Sequence, residues 1–145
     1  MSRREFANKT ELESWVKTQA KNLARPAAVL LDGDLGAGKT QTVRWFCAAL
    51  GVKDPASPTF AIHHEYISPS GPVDHVDLYR IKDDQDLENS GFWDLLAKPN
   101  ALLFVEWAGR LPDDVWPSSW NILKIKLSKV SDQEARVLDW EMNRG

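Results

Sequence analysis

The sequence predicts a three-layer α/β sandwich whose central sheet mixes parallel and antiparallel strands, and three observations predict it. A short apolar run, Ala27–Gly33, leads straight into a glycine-rich turn, as a buried strand does. A helical apolar pattern starts at Lys39, directly behind that turn. Later apolar runs flank turn residues, which points to hairpins beside the parallel strands. With 145 residues, 43% of them hydrophobic and 27% charged, the chain is expected to form one domain spanning 1–145.

The elements follow in order. Thr10 and Glu13 fit a capping box, and Leu12, Trp15, Val16 and Leu23 recur at helical spacing until Pro26 closes the segment. Ala27–Gly33 is the first buried strand. The next helix is expected from Lys39 through Leu50, with Val43, Phe46, Cys47 and Leu50 on one face and Gly51 as terminator. Phe60–Tyr66 and Val73–Tyr79 flank the turn-forming Ser68–Pro72 and read as an antiparallel pair. The acidic run Asp83–Glu88 suits a helix start, where the helix dipole favours negative charge. Ala101–Trp107 is another buried strand. Leu123, Ile125 and Leu127 alternate with Lys124 and Lys126, a strand with one wet face, and Ala135–Trp140 returns beside it.

Composition narrows the partners. A net charge of −3 gives no support to a stand-alone grip on nucleic acid, which needs a basic face. No apolar run reaches the roughly 18 residues of a membrane span. The basic start MSRREFANKT has no apolar segment behind it, so no membrane association and a cytoplasmic location are expected. The single Cys47 excludes an internal disulfide framework.

Gly33-Asp34-Leu35-Gly36-Ala37-Gly38-Lys39-Thr40 satisfies the P-loop pattern G-x-x-x-x-G-K-[ST] in full, between a strand and a helix as the motif requires. The fold class is therefore P-loop NTPase-like. Loop N–H groups at the positive end of a helix surround phosphate oxygens, Lys39 reaches the β- and γ-phosphates, and the Thr40 hydroxyl ligates Mg²⁺. Such a loop needs a carboxylate on a neighbouring strand to hold the metal. Three qualify from the residues alone. Glu106 ends the run LLFVE, so its carboxylate emerges at a strand's C-terminal end, where open α/β sheets place ligands. Asp77 lies in the second strand of the hairpin. Asp74, three residues earlier, reads best as a solvated surface group.

Four blocks in series, GDLGAGKT, SPTF (Ser57–Phe60), HVDLYR (His75–Arg80) and VEW (Val105–Trp107), resemble the bacterial TsaE family, with EARV (Glu134–Val137) as a weaker match. The resemblance spans roughly Val29 to Arg110. It implies a small ATPase required for threonylcarbamoyladenosine modification of tRNA, joining a TsaB–TsaD heterodimer. TsaD would transfer the threonylcarbamoyl group, so tRNA is met only through the complex. ATP and Mg²⁺ are the implied cofactors. The resemblance implies catalytic roles for Lys39, Asp77 and Glu106, and metal ligation by Thr40 and Glu106. The nucleotide would be held by Asp34, Gly36, Ala37, Gly38, Lys39, Thr40, Gln41 and Thr59, the last in a switch segment facing the γ-phosphate. Trp107 would pack beside the metal-binding acid. Gln41 stands where the family often has a second threonine, and Ala108–Arg110 where a proline–glutamate pair is frequent.

Other features have plain readings. His63 and His64 are adjacent strand residues on opposite faces, so they do not share a metal ion, and with His75 they read as ordinary hydrogen-bonding histidines. Arg80 and Arg110 read as surface or salt-bridging residues before they read as transition-state cations. Trp116 and Trp120, in LPDDVWPSSW, read as a loop packed over the core, with partner anchoring as the alternative. Two functions stand beside the ATPase: a small-molecule P-loop kinase, and a nucleotide-gated binding module that hydrolyses nothing. The kinase needs a cationic lid, and no arginine-rich lid segment is present.

Overall fold

The computed structural model describes residues 1–53, 62–130 and 134–145. Its strands are β1 (Ser2–Phe6), β2 (Ala27–Gly33), β3 (His63–Ser68), β4 (Gly71–Asp77), β5 (Leu102–Glu106), β6 (Asn121–Lys129) and β7 (Arg136–Asn143). They form one seven-stranded sheet in the order β1-β7-β6-β2-β5-β4-β3. The centre is parallel, with β2 between β5 and β6 and β4 beyond β5. The flanks are antiparallel: β3 on β4, β7 on β6, and β1 on β7. This is the mixed sheet the sequence predicts.

Alternation along β2 sends side chains into two separate cores, as a strand covered on both faces must. Ala27, Val29 and Leu31 join Leu12 and Val16 of α1 (Lys9–Asn22) and Val43 and Phe46 of α2 (Lys39–Ala49). Ala28 and Leu30 join Leu87 of α3 (Asp84–Asn89), Phe92 and Leu95 of α4 (Phe92–Leu95), Trp116 and Trp120. Phe46 and Phe104 are both fully buried with ring centres 5.3 Å apart. Each such side chain contributes about 1.5–3 kcal/mol by leaving water. Trp116 and Trp120 are buried, so the packing reading holds for both. Asp83 caps α3 by accepting from the Asp86 N–H, which makes the acidic run a helix start.

Three expectations are corrected, and one strand, β1, forms where the sequence announces none. Helix α1 begins two residues earlier than the Thr10–Glu13 box: Asn8 is the N-cap, its Oδ1 accepts from the Glu11 N–H at 3.0 Å, and Glu11 accepts from the Ala7 N–H at 2.9 Å. Strand β1 carries no apolar alternation; four of its five residues are exposed, and backbone pairing to β7 makes it a strand. Helix α2 ends at Ala49, with Leu50 as its cap. Asp74 is no surface group: it is 2% exposed, and Lys98 donates to both of its oxygens at 3.2 and 3.0 Å while His63 Nε2 lies 2.7 Å from Oδ1.

Candidate nucleotide site

The site forms where β2, β4 and β5 end side by side. Asp77 is in register with Glu106, and Leu31 with Glu106 on the other side. The chain leaves β2 through the glycine loop and enters α2 at Lys39. Gly33 has φ +146, and a Cβ there would run into the Leu127 carbonyl; Gly38, the N-cap of α2, has φ +113. Both conformations are ones that L side chains rarely adopt. Among the described residues no side chain caps α2, and no acid sits in its first turn, which leaves its first N–H groups and dipole facing an anion.

Lys39 is 5% exposed, and its ammonium donates to the Gly33 and Asp34 carbonyls, the latter at 2.9 Å. The same nitrogen lies 4.3 Å from the centre of the Trp107 ring. Burial lowers its pKa, against the opposing charges of Glu106, Asp77, Asp32 and Asp34. Thr40 Oγ1 donates to Glu106 Oε1 at 2.7 Å. Glu106 is 3% exposed, and its other oxygen lies 2.6 Å from His75 Nε2. Asp77 accepts the Tyr79 N–H at 3.0 Å. Trp107 has φ +60, an outlier for a bulky residue; its N–H donates to Leu31 at 2.8 Å and its ring meets that of Tyr79 at 5.0 Å.

These groups surround one open cleft of about 230 Å³, lined by Leu35, Gly36, Gly38, Lys39, Thr40, Gln41, Asp77, Tyr79, Glu106 and Trp107. Of the residues expected at the site, Gly36, Gly38, Lys39, Thr40, Gln41, Asp77 and Glu106 meet here. Ala37 is buried behind the loop, where its N–H donates to the Asp34 carbonyl at 3.0 Å. Asp34 is exposed and turns its carbonyl to Lys39. Thr59, with the rest of SPTF, lies outside the described residues. A second pocket of about 210 Å³ adjoins the loop, sharing Gly36, Gly38 and Gln41, and adds Leu12, Trp45, Lys9, Glu134 and Arg136.

Three supporting residues escaped the sequence reading. His75 engages Glu106 from β4. Arg136 of β7 donates through Nε to the Ala37 carbonyl at 2.9 Å, pinning the loop from behind. Asp32 accepts the Gly109 N–H at 2.8 Å and fixes the turn after Trp107. Arg110 lies over Tyr79 and Trp107 and donates to the Ile81 carbonyl, whereas Arg80 is exposed. His63 and His64 face opposite sides of β3, and no cluster of three or more metal-binding side chains occurs among the described residues.

Fold and site together define a P-loop α/β protein, with a glycine loop, its lysine and a strand-end acid in one cleft. Residues 6–138 match the family model "Threonylcarbamoyl adenosine biosynthesis protein TsaE". The chain is 37% identical over 103 residues to a tRNA threonylcarbamoyladenosine biosynthesis protein TsaE of Synechocystis, covering 69% of this chain and 66% of the relative. It is 34% identical over 122 residues to that of Aquifex aeolicus, covering 81% of each. The crystal structure of Bacillus subtilis YdiB superposes with a TM-score of 0.66 at 26% identity, over 99% of this chain and 86% of that one. The chain belongs to the TsaE family, whose pathway is tRNA threonylcarbamoyladenosine biosynthesis. No helix among the described residues is long and apolar enough to cross a membrane.

Proposed function

We propose that the chain is a Mg²⁺-dependent ATPase that serves tRNA threonylcarbamoyladenosine formation by binding and resetting a TsaB–TsaD transferase in the cytoplasm. One observation carries the reading: the Thr40 hydroxyl and the Glu106 carboxylate meet at 2.7 Å on the floor of the cleft that holds Lys39. Two hard oxygen donors beside a phosphate cradle suit Mg²⁺, which takes a few protein oxygens and completes its shell with phosphate and water. When bound there, the ion would neutralise charge on the phosphates.

The chain's own groups divide the remaining work. The first N–H groups of α2 and the Lys39 ammonium bind the phosphates, and the ammonium moves from the loop carbonyls to phosphate oxygens. Asp77, at the edge of the cleft, orients a water. The adjoining pocket, with Trp45 and Leu12 as its apolar side, receives the base and ribose. Trp107 and Tyr79 shield one side of the cleft from water.

The test is hydrolysis of radiolabelled ATP with Mg²⁺, with and without a purified TsaB–TsaD pair. Slow phosphate release that the pair accelerates is the expected result. Label on a metabolite would establish the kinase instead, and binding without release the nucleotide-gated module.

A further inference from the structure

The Glu106 carboxylate is gripped at both ends, and only one grip faces the cleft. Thr40 takes Oε1. His75 Nε2 stands 2.6 Å from Oε2, with the side chains of His75 and Glu106 only 3% and 4% exposed. His75 does not line the cleft; it sits on β4 two residues before Asp77 and opposite Phe104, and reaches Glu106 diagonally across the parallel pair. A carboxylate can only accept, so Nε2 carries the hydrogen and donates.

We propose that His75 is the positioning residue for the metal-holding acid: its hydrogen bond fixes the plane of the Glu106 carboxylate so that Oε1 stays presented beside Thr40 to a divalent cation. Without that donor, Oε2 is a buried acceptor with no hydrogen-bond partner among the described residues. The carboxylate then turns to find one, or loses its charge. Residues that orient a metal's ligand typically change metal affinity or activity about 10–100-fold when removed. The proposal rests on the Mg²⁺–ATP reading of the cleft.

The test measures the affinity for a fluorescent ATP analogue in EDTA and across a Mg²⁺ titration, with thermal melts as a check on folding. The proteins are wild type, His75→Leu, His75→Gln and His75→Asn. Leucine fills space without donating, glutamine carries its amide nitrogen far enough to replace Nε2, and asparagine falls one carbon short. For His75→Leu and His75→Asn, affinity in EDTA should stay within about twofold of wild type while the Mg²⁺ midpoint rises about 10–100-fold. His75→Gln should restore most of that shift. If His75→Leu does not fold, the Gln and Asn pair carries the comparison. A wild-type Mg²⁺ response with unshifted midpoints in folded variants overturns the positioning role alone. So does equal impairment of Gln and Asn, or a matching loss in EDTA. A wild type whose ATP affinity ignores Mg²⁺ overturns the cleft reading, and this inference with it.

Discussion

Asp74 offers a sharp test of how the sheet is held together, because its charge is buried and its partners are few. Burial pushes its carboxyl up, but hydrogen bonds from His63 and Lys98 and the nearby positive charge outweigh this and hold it below the usual carboxylate range. Asp74→Asn keeps the shape and removes the charge, and one of its two positions opposite Lys98 becomes a second donor. Lys98 is not stranded, since its side chain is 32% exposed and retains Glu65 at 2.8 Å. The cost is therefore that of a charge-assisted hydrogen bond, about 2 kcal/mol, not the full cost of an orphaned buried ion. For a chain of this size that is a fall of roughly 4–8 °C in Tm at pH 7. The sign of the pH dependence follows from the lowered pKa. Asp74's contribution is fully present above its unfolded value near about 3.9 and is lost as pH falls through the folded one. Melts of wild type and variant from pH 7 to pH 3 should show a gap that is wide at neutrality and closes below about pH 4. A gap of constant size across that range would refute the argument, since the charge would then contribute nothing. Asp74 lies on the face of the sheet opposite Glu106, so the folded variant should bind ATP as wild type does.

Other outcomes follow from the same geometry. Gly33→Ala should weaken ATP binding and lower Tm, because its Cβ meets the Leu127 carbonyl in a backbone conformation worth about 1–3 kcal/mol of strain; calorimetry and melts that match wild type would show that the loop can relax. Trp45→Ala should weaken ATP about tenfold (~1.4 kcal/mol) yet leave inorganic triphosphate binding unchanged, and equal losses for both would remove the base from the Trp45 pocket. Asn8→Ala should cost about 1 kcal/mol, a loss of roughly 2–4 °C, while Thr10→Ala costs less, the reverse of what the Thr10–Glu13 box requires. Burial pushes the Cys47 thiol up to about 11, so iodoacetamide at pH 8 should label it only in denaturant; prompt labelling of the native protein would show that the core opens there.

The parts legible in the sequence were those whose cause lies within a few neighbouring residues. The glycine loop, β2 and the start of α2 follow from one contiguous stretch in which φ demands, apolar run and helix pattern agree. The hairpin is legible for the same reason, although its strands run on to Ser68 and from Gly71 into the expected turn, and the expected start of its first strand at Phe60 lies outside the described residues. The α1 cap is ambiguous in the sequence because Asn8–Glu11 and Thr10–Glu13 are two capping patterns two residues apart, and the apolar spacing of Leu12, Trp15 and Val16 fits a start at either. Strand β1 has no signature in the sequence because an edge strand needs only backbone partners, and SRREF presents charge in place of an apolar alternation.

The support behind the cleft is a different case, because register creates it. Nothing local to His75 separates it from His63 or His64; what separates them is the residue placed across the sheet. Parallel pairing sets Asp77 beside Glu106 and leaves His75 one pleat lower on the same face, within reach of Oε2. His63, on β3, falls instead on the opposite face beside Asp74. One imidazole thus serves the cleft and another serves the fold, and a one-residue slip of β4 would undo both, because it turns His75 away from Glu106 and Asp74 away from His63. Arg136 obeys the same logic from the far side: β7 pairs with β6, β6 with β2, and this chain of registers brings a guanidinium to the Ala37 carbonyl. The glycine loop names the ligand class, whereas the sheet decides which buried groups hold its acid and its backbone in place.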